Sequence, residues 1–129
     1  MILDRIKSIA VPGTEIPKPV SQRPYIVVGW GTSRGEEALV YRLPQRIGTA
    51  NPSTKRVPAS AFEEAMTMLS KTGEITHAWF AVTFPAAYAD GACNFTTLGG
   101  ILELAGEAAY AGPGRYLRSR KAGRRPTTG

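Results

Sequence analysis

The clearest helical pattern in the chain is SAFEEAMTMLSKTG, residues 60–73. Ser60 followed by Glu63 predicts a capping box, in which each side chain hydrogen-bonds the backbone of the other residue. Gly73 predicts the end of the helix, because glycine adopts the left-handed conformation readily. The apolar side chains recur at the spacing of one helical face: Phe62, Ala65, Met66 and Leu69. The segment therefore predicts one amphipathic helix that packs on a core.

The residues before this helix predict a β-hairpin over 25–43. Two runs rich in strand-forming residues, YIVVGW and EALVYRL, flank the turn-rich stretch at 32–35. Pairing about that turn predicts one core face with residues from both strands: Ile26, Val28, Trp30, Leu39 and Tyr41. Residues 1–24 contain four prolines and predict a short helical turn followed by an extended arm. Residues 44–58 predict a polar loop without regular structure.

Two further helices and a second hairpin are predicted after the first helix. Thr76 can cap a short helix that Pro85 ends. A third helix is predicted from Thr97 to Gly106 by its apolar spacing, and Gly-Pro-Gly at 112–114 predicts the turn of a hairpin. The large apolar residues of the helices are expected to share one core, with Trp30 in it or beside it: Phe62, Met66, Leu69, Trp79, Phe80, Leu98, Ile101 and Leu102.

In sequence order, residues 59–118 predict helix, link, helix, turn, helix and hairpin, which resembles a winged helix-turn-helix domain. The resemblance implies an α+β fold in which an N-terminal β-hairpin is added to a three-helix, winged-helix-like unit whose C-terminal β-hairpin is the wing. It also implies DNA binding by the third helix. That helix offers Thr96, Thr97, Glu103 and Glu107 but no Arg, Lys, Asn or Gln, so we expect little direct readout of bases.

The net charge of +6 is unevenly distributed along the chain. Residues 1–56 carry nine basic and four acidic side chains. Residues 57–114 carry one basic and six acidic side chains, and residues 115–129 carry six basic side chains and no acidic one. The basic flanks could contact an anionic partner, or they could fold back on the acidic middle. We expect tyrosines and cations in and after the wing to stack on bases and to pair with phosphates: Tyr110, Arg115, Tyr116, Arg118, Arg120, Lys121, Arg124 and Arg125.

These features predict a single α+β domain over residues 1–118 and a disordered basic tail over 119–129. The leading hypothesis is a small basic nucleic-acid-binding protein that contacts mainly the phosphate backbone through the wing and the tail. The alternatives are a protein-interaction module or homodimer without nucleic-acid binding, and a small thiol hydrolase. The chain also resembles small uncharacterised proteins of bacterial mobile gene cassettes, although no motif carries that resemblance.

Few residues could carry catalysis. His77, Asp90 and Cys93 are the only set with a base, an acid and a thiol, but a lone histidine on an apolar helix and a single cysteine are more often structural. We therefore expect binding rather than catalysis, with no catalytic residue, cofactor or metal site. The chain has no apolar run of about 20 residues and no secretory leader, so we expect a cytoplasmic protein without a membrane partner.

Overall fold

The structure, a computed structural model, describes residues 2–19, 23–44 and 53–119. These residues form five helices and two antiparallel sheets, which confirms the predicted α+β class. The helices are α1 (Ile2–Ile9), α2 (Ala59–Thr72), α3 (His77–Thr83), α4 (Pro85–Asp90) and α5 (Cys93–Leu104). The first sheet, in the order β1-β2-β3-β4, contains β1 (Glu15–Ile16), β2 (Tyr25–Ser33), β3 (Glu36–Arg42) and β4 (Thr54–Pro58). The second, in the order β5-β7-β6, contains β5 (Glu74–Thr76), β6 (Ala108–Tyr110) and β7 (Arg115–Arg118).

Strands β2 and β3 form the predicted hairpin, but the predicted core face is only partly right. The ladder pairs Val27 with Tyr41 and Trp30 with Leu39, so Val28 is an extra residue in a β-bulge. Because a bulge sets two residues opposite one, it reverses the alternation of side chains beyond it. Val27 is therefore buried while Val28 is 42% exposed. The prediction that Ile26 and Val28 lie in the core is wrong: Val27 takes that place, and Ile26 is only partly buried and lies outside the core cluster.

The predicted loop over 44–58 contains a strand that the sequence pattern did not indicate. Residues 54–58 form β4, which pairs with β3 and sets Val57 opposite Leu39. Both side chains are fully buried. Pro58 stands at the end of this edge strand, where its missing N–H costs no ladder bond. Residues 45–52 of the predicted loop lie outside the described residues.

Helix α2 begins at Ala59, with Pro58 instead of Ser60 at the N-cap position, and the capping box does not form. The backbone N–H and the hydroxyl of Ser60 both donate to the carboxylate of Glu36 on β3, each at 3.0 Å. A carboxylate at a helix N-terminus is stabilising because it accepts from free N–H groups and opposes the helix dipole. The cap therefore comes from the hairpin. Gly73 ends the helix in the left-handed conformation, as predicted.

The second half of the chain follows the predicted order with two additions. Thr76 caps α3 by accepting from the N–H of Trp79, as predicted. The residues that the sequence indicates only as a link form β5, and Pro85 begins a further short helix, α4. The third predicted helix starts at Cys93 rather than at Thr97. Strands β6 and β7 form the predicted hairpin, with Tyr110 opposite Tyr116, and β5 pairs with β7.

Helix α5 is the central helix of the fold and is buried on nearly every side. A Cβ at Gly99 would overlap the ring of Tyr116, and a Cβ at Gly100 would overlap the backbone of Pro17. The two glycines therefore allow β7 and the segment after β1 to pack directly on the helix backbone. Ile16 of β1 is fully buried in the same core. The N-terminal residues thus form part of the core instead of an extended arm on the surface.

The predicted shared core is confirmed. Met66, Trp79 and Trp30 are partly buried and pack against the core cluster. The other six predicted members are buried in that cluster: Phe62, Leu69, Phe80, Leu98, Ile101 and Leu102.

Replacement of Leu102 by alanine is expected to lower the free energy of unfolding by about 2 to 5 kcal/mol, because the side chain is fully buried and a cavity would remain. Leu104 is a matched control on the same helix. It is 41% exposed, so Leu104→Ala should cost less than about 1 kcal/mol. Chemical denaturation of both variants measures the difference. Equal losses would contradict the central position of α5.

Candidate functional site

A cleft of about 280 Å³ lies between the wing and the N-terminus of α5. We call it the aromatic cleft, because rings from three parts of the chain line it. Six of the residues that line it carry an aromatic ring, a thiol or a hydroxyl: Tyr25, His77, Cys93, Thr96, Tyr110 and Tyr116. Strand β2, helix α3, helix α5 and the β6–β7 hairpin thus converge on one concave surface.

Two rings of the aromatic cleft are fixed by edge-on contacts with larger rings of the core. The His77 ring is 4.9 Å from that of Tyr88 and 5.8 Å from that of Phe95, both nearly perpendicular. Tyr110 packs in the same way on Tyr116, at 5.7 Å. Such edge-to-face pairs hold a ring in one orientation. Both His77 and Tyr110 remain half-buried, so each ring leaves part of its surface open to the cleft.

Tyr25 forms the opposite wall. Its ring packs on that of Tyr41 with centroids 5.3 Å apart. The ammonium of Lys18 lies 4.3 Å from the centre of the Tyr25 ring, within the range of a cation–π contact. Burial raises the pKa of Tyr25, and the nearby Cys93 acts in the same direction. A positive charge therefore stands at the edge of an aromatic wall.

A buried hydrogen-bond network holds the thiol of Cys93. The Tyr41 hydroxyl donates to the side-chain oxygen of Asn94 at 2.6 Å and lies 3.1 Å from the Cys93 sulfur. Asn94 in turn donates to the carbonyl of Ala87. The sulfur of Cys93 is therefore within hydrogen-bond distance of the Tyr41 hydroxyl.

The structure brings His77 and Cys93 into one cleft but does not assemble a catalytic triad. No hydrogen bond joins the His77 ring to the sulfur in the described part of the chain, since the sulfur is paired with Tyr41. The carboxylate of Asp90 pairs with Arg34 at 3.1 Å and not with the histidine. Among the described residues, no hydrogen-bonded group therefore orients His77 toward the thiol.

Tyr116, one of the expected stacking residues, is only 2% exposed, with its ring packed on Gly99 of α5. Its hydroxyl is buried, and no described residue is a hydrogen-bond partner for it. Burial raises the pKa of Tyr116, and Glu103 and Tyr110 raise it further. Stacking on a base would require this ring to leave the core, so Tyr116 contributes only a small part of the cleft lining.

The expected cations of the wing differ in their surroundings. Arg115 forms an ion pair with Glu74 on β5, 2.7 Å between Nε and the carboxylate oxygen, and both side chains are more than a third exposed. Arg118 is exposed, and its side chain forms no ion pair with any described residue. The four cations of the tail fall outside the described residues: Arg120, Lys121, Arg124 and Arg125.

A second, polar cleft of about 260 Å³ lies at the edge of the first sheet, and we call it the basic cleft. Its lining includes Ser33, Lys55, Arg56 and Asp90. Lys55 donates to the backbone carbonyl of Asp90, and Arg56 donates to that of Thr32. Arg34 reaches the rim through its ion pair with Asp90. Three cations thus surround a cleft that contains one carboxylate.

The position of Arg34 depends on an unusual backbone conformation. Arg34 and Gly35 form the two-residue turn of the hairpin, with φ angles of 47° and 82°. Such turns favour asparagine and glycine, because a left-handed backbone strains other residues by roughly 1 to 2 kcal/mol. Among the described residues, Arg34 is the only non-glycine residue with positive φ. The hairpin keeps an arginine beside the basic cleft where asparagine would fit the turn better.

The aromatic and basic clefts are neighbours, separated by the turn between α4 and α5. A Cβ placed on Gly91 in that turn would lie 3.1 Å from the Cys93 sulfur and 3.4 Å from Cε of Lys55. Cys93 lines the aromatic cleft and Lys55 lines the basic cleft. One glycine therefore separates a surface of rings from a surface of cations.

A third depression, of about 220 Å³, lies beside α4 and is mostly apolar. It is lined by Pro58, Phe84 and Pro85, with Arg34 and Glu36 at its rim. Val82 on α3 is 82% exposed. Arg34 is the only cation among the residues that line this groove.

Several residues of the two clefts were missed by sequence reasoning. Tyr25 and Thr96 were interpreted only as parts of a strand and of a helix. Lys55 and Arg56 were assigned to a loop, because TKRVP contains a proline and no long apolar alternation. The adjacent cations were the signal, but only their pairing with β3 positions them beside Asp90.

Within residues 2–19, 23–44 and 53–119, no group of three His, Cys, Asp or Glu side chains is placed to hold a metal ion. No helix in that part of the chain has the length and apolar character needed to cross a membrane. Comparisons with family models, with curated proteins and with solved structures found no match to this chain.

Tyr116→Phe is expected to raise the free energy of unfolding by about 1 to 3 kcal/mol, since it removes a buried hydroxyl without a partner and keeps the ring on Gly99. Tyr41→Phe is the matched control, because the Tyr41 hydroxyl donates to Asn94. That variant should lose stability. Urea denaturation measures both changes, and a loss of stability in Tyr116→Phe would contradict the unpaired hydroxyl.

Stability is also expected to fall in alkali. Burial raises the pKa of Tyr116 and of Tyr41 above the ordinary value of 10.0, so the folded state holds these phenol protons more tightly than the unfolded state. The resulting stabilisation is complete below about pH 10 and is lost as the pH rises toward the folded pKa. Urea denaturation between about pH 8 and pH 11 should show the loss. Tyr116→Phe should show a smaller one, and equal slopes would contradict this assignment.

Proposed function

We propose that this chain binds nucleic acid mainly through the phosphate backbone, using the basic cleft, the wing and the C-terminal tail. The observation that carries the proposal is the basic cleft. Lys55 and Arg56 line it and Arg34 stands at its rim, against the single carboxylate of Asp90. Guanidinium and ammonium groups are the side chains that pair best with phosphate oxygens.

The element order supports a winged-helix-like unit as the frame for this function. Helices α2, α3 and α5 are followed by the β6–β7 hairpin, and β5 joins that hairpin in one sheet. The additional helix α4 and the burial of α5 depart from the simplest arrangement. A buried helix cannot enter a groove of DNA, so the proposal assigns binding to backbone charge rather than to readout by the third helix.

The wing contributes Arg118 and Arg115 in this proposal. The ion pair of Arg115 with Glu74 is solvent-exposed, and such pairs contribute only about 0 to 1 kcal/mol, so a phosphate can replace the carboxylate. The aromatic cleft lies between the wing and the basic cleft, because Tyr110 and Gly114 line it on one side and Cys93 on the other. The cations therefore flank a continuous surface.

The shared cleft of His77 and Cys93 does not favour the thiol hydrolase alternative. A nucleophilic cysteine requires a base that takes its proton and a group that orients the base. Here the thiol is paired with Tyr41, and Asp90 is paired with Arg34. A homodimer or protein-interaction module stays an outcome of the experiment below.

Charge removal at two places tests the proposal. Conversion of the four tail cations to glutamine should reduce the slope of log affinity against log salt by up to about 3 to 4 units on duplex DNA, because each engaged phosphate contributes about 0.9. Lys55→Gln with Arg56→Gln should reduce it by up to about 2 units. Lys7→Gln is the control, since Lys7 pairs with Glu37 and lines neither cleft.

The same variants separate this function from its alternative. If the tail folds back on the acidic middle, its neutralisation should lower the melting temperature and leave nucleic-acid affinity unchanged. If the tail binds phosphates, the melting temperature should stay nearly constant while the salt slope falls. An unchanged slope in both sets of variants, with defined self-association in solution, would establish the homodimer reading instead.

A further inference from the structure

The aromatic cleft and the basic cleft have complementary chemistry at adjacent positions. We propose that the two clefts together bind one unstacked nucleotide of a single strand, with its base in the aromatic cleft and its phosphate in the basic cleft. This inference rests on the proposed function and names its substrate class as single-stranded nucleic acid.

The aromatic cleft has the dimensions and walls that a nucleobase requires. Its volume of about 280 Å³ lies just below the range of about 300 to 1,000 Å³ typical of small-molecule pockets, which favours one ring system over a larger ligand. Tyr25, His77 and Tyr110 line it and are only partly buried. All bases present a π-face, so stacking on such rings tolerates any sequence.

Polar groups in the same cleft can contact the edge of a base. The Thr96 hydroxyl and the His77 ring make no side-chain hydrogen bond with any described residue, and both side chains are half-buried. A hydroxyl donates and accepts, and a neutral imidazole has one nitrogen of each kind. An apolar wall with a few unpaired polar groups is typical of a pocket that orients a heterocycle.

The basic cleft can hold a phosphate without losing its internal contacts. Arg56 gives one N–H to the carbonyl of Thr32, and Lys55 gives one to the carbonyl of Asp90. Both groups carry further donors, which remain available for an anion. Arg34 is held at the rim by its ion pair with Asp90. A phosphate there would lie beside the two cations that line the cleft, with Arg34 nearby in its ion pair with Asp90.

The two clefts are adjacent at Gly91, which the sugar between a base and its phosphate would have to span. Cys93 and Lys55 both contact the space that a side chain at Gly91 would occupy. One residue therefore lies between the two surfaces, and a single sugar ring would lie over it. Any larger residue at this position would project into that path.

The proposed mode selects single strands over duplexes. A paired base is stacked on both faces, and its extrusion costs a few kcal/mol, whereas bases of a single strand are accessible. Exposed bases that stack on protein aromatic rings are the usual basis of single-strand binding. Duplexes would contact only the cations.

The experiment measures affinities of the full chain for a fluorescently labelled single-stranded oligonucleotide and for a duplex of the same length, by anisotropy at one salt concentration. Tyr25→Leu and Tyr110→Leu should each weaken single-strand binding by roughly 5- to 150-fold, and should leave duplex binding unchanged. Phe84→Leu is the matched control: it truncates a half-buried ring that lines the apolar groove beside α4. It should change neither affinity.

A second set of variants makes smaller changes, so that a loss of binding cannot be caused by a loss of folding. Thr96→Val and Tyr25→Phe preserve shape, and Thr96→Val should change the preference among adenine, cytosine and thymine oligonucleotides while Tyr25→Phe should bind like the parent. Titration of the full chain with adenosine monophosphate, followed by nuclear magnetic resonance, should shift the His77 and Thr96 signals. Lys55→Gln should weaken that titration and leave an adenosine titration unchanged.

The outcomes distinguish this inference from the proposed function. If the parent chain binds duplex and single strand equally and the cleft variants leave the ratio unchanged, the inference is overturned and backbone binding stands. If no oligonucleotide binds, the proposed function fails. In that case, signal shifts at His77 and Thr96 on addition of the mononucleotide would still support the aromatic cleft as a binding site for a free nucleotide. Without such shifts, the inference about the aromatic cleft would be overturned as well.

Discussion

The close contact between the ring of Tyr116 and the backbone of α5 at Gly99 is the constraint on which the rest of the structure depends. With no Cβ at that position, strand β7 packs directly on the helix and the second sheet is held against the core. Gly100 accepts the segment after β1 on another side. A helix covered from several directions becomes the centre of the core. For the same reason it is lost as a surface for recognition.

Both sheets contact this helix, the first near its N-terminus and the second at Gly99. Tyr41 comes from the first sheet and donates to Asn94 on α5, and Tyr116 of the second sheet packs one turn further along. The turn before the helix, at Gly91, is thereby fixed between them. Both clefts open beside that turn. Their position is thus a consequence of how the core is built, and it requires no separate scaffold.

Charge inside the fold explains why the acidic middle of the chain does not cancel the basic surface. Two carboxylates of this middle already have partners: Glu103 accepts from the N–H of Tyr110, and Glu107 pairs with Arg5. Arg115 is paired as well, with Glu74. Part of the basic flanks therefore does fold on the acidic middle. The cations around the basic cleft meet only one carboxylate, which leaves a net positive surface there.

Local sequence determined the elements whose signals lie within a few residues: the α+β class, the β2–β3 hairpin, α2 with its end at Gly73, the Thr76 cap and the wing. Tertiary contacts decided the rest. The bulge at Val28, strand β4 and the cap supplied by Glu36 each depend on a partner distant in sequence, which no local periodicity encodes. The same holds for the candidate site. The sequence shows which residues carry positive charges and aromatic rings. Their convergence follows from the packing of four elements about Gly91 and α5, because only the folded core sets the distances between residues that are far apart in the sequence.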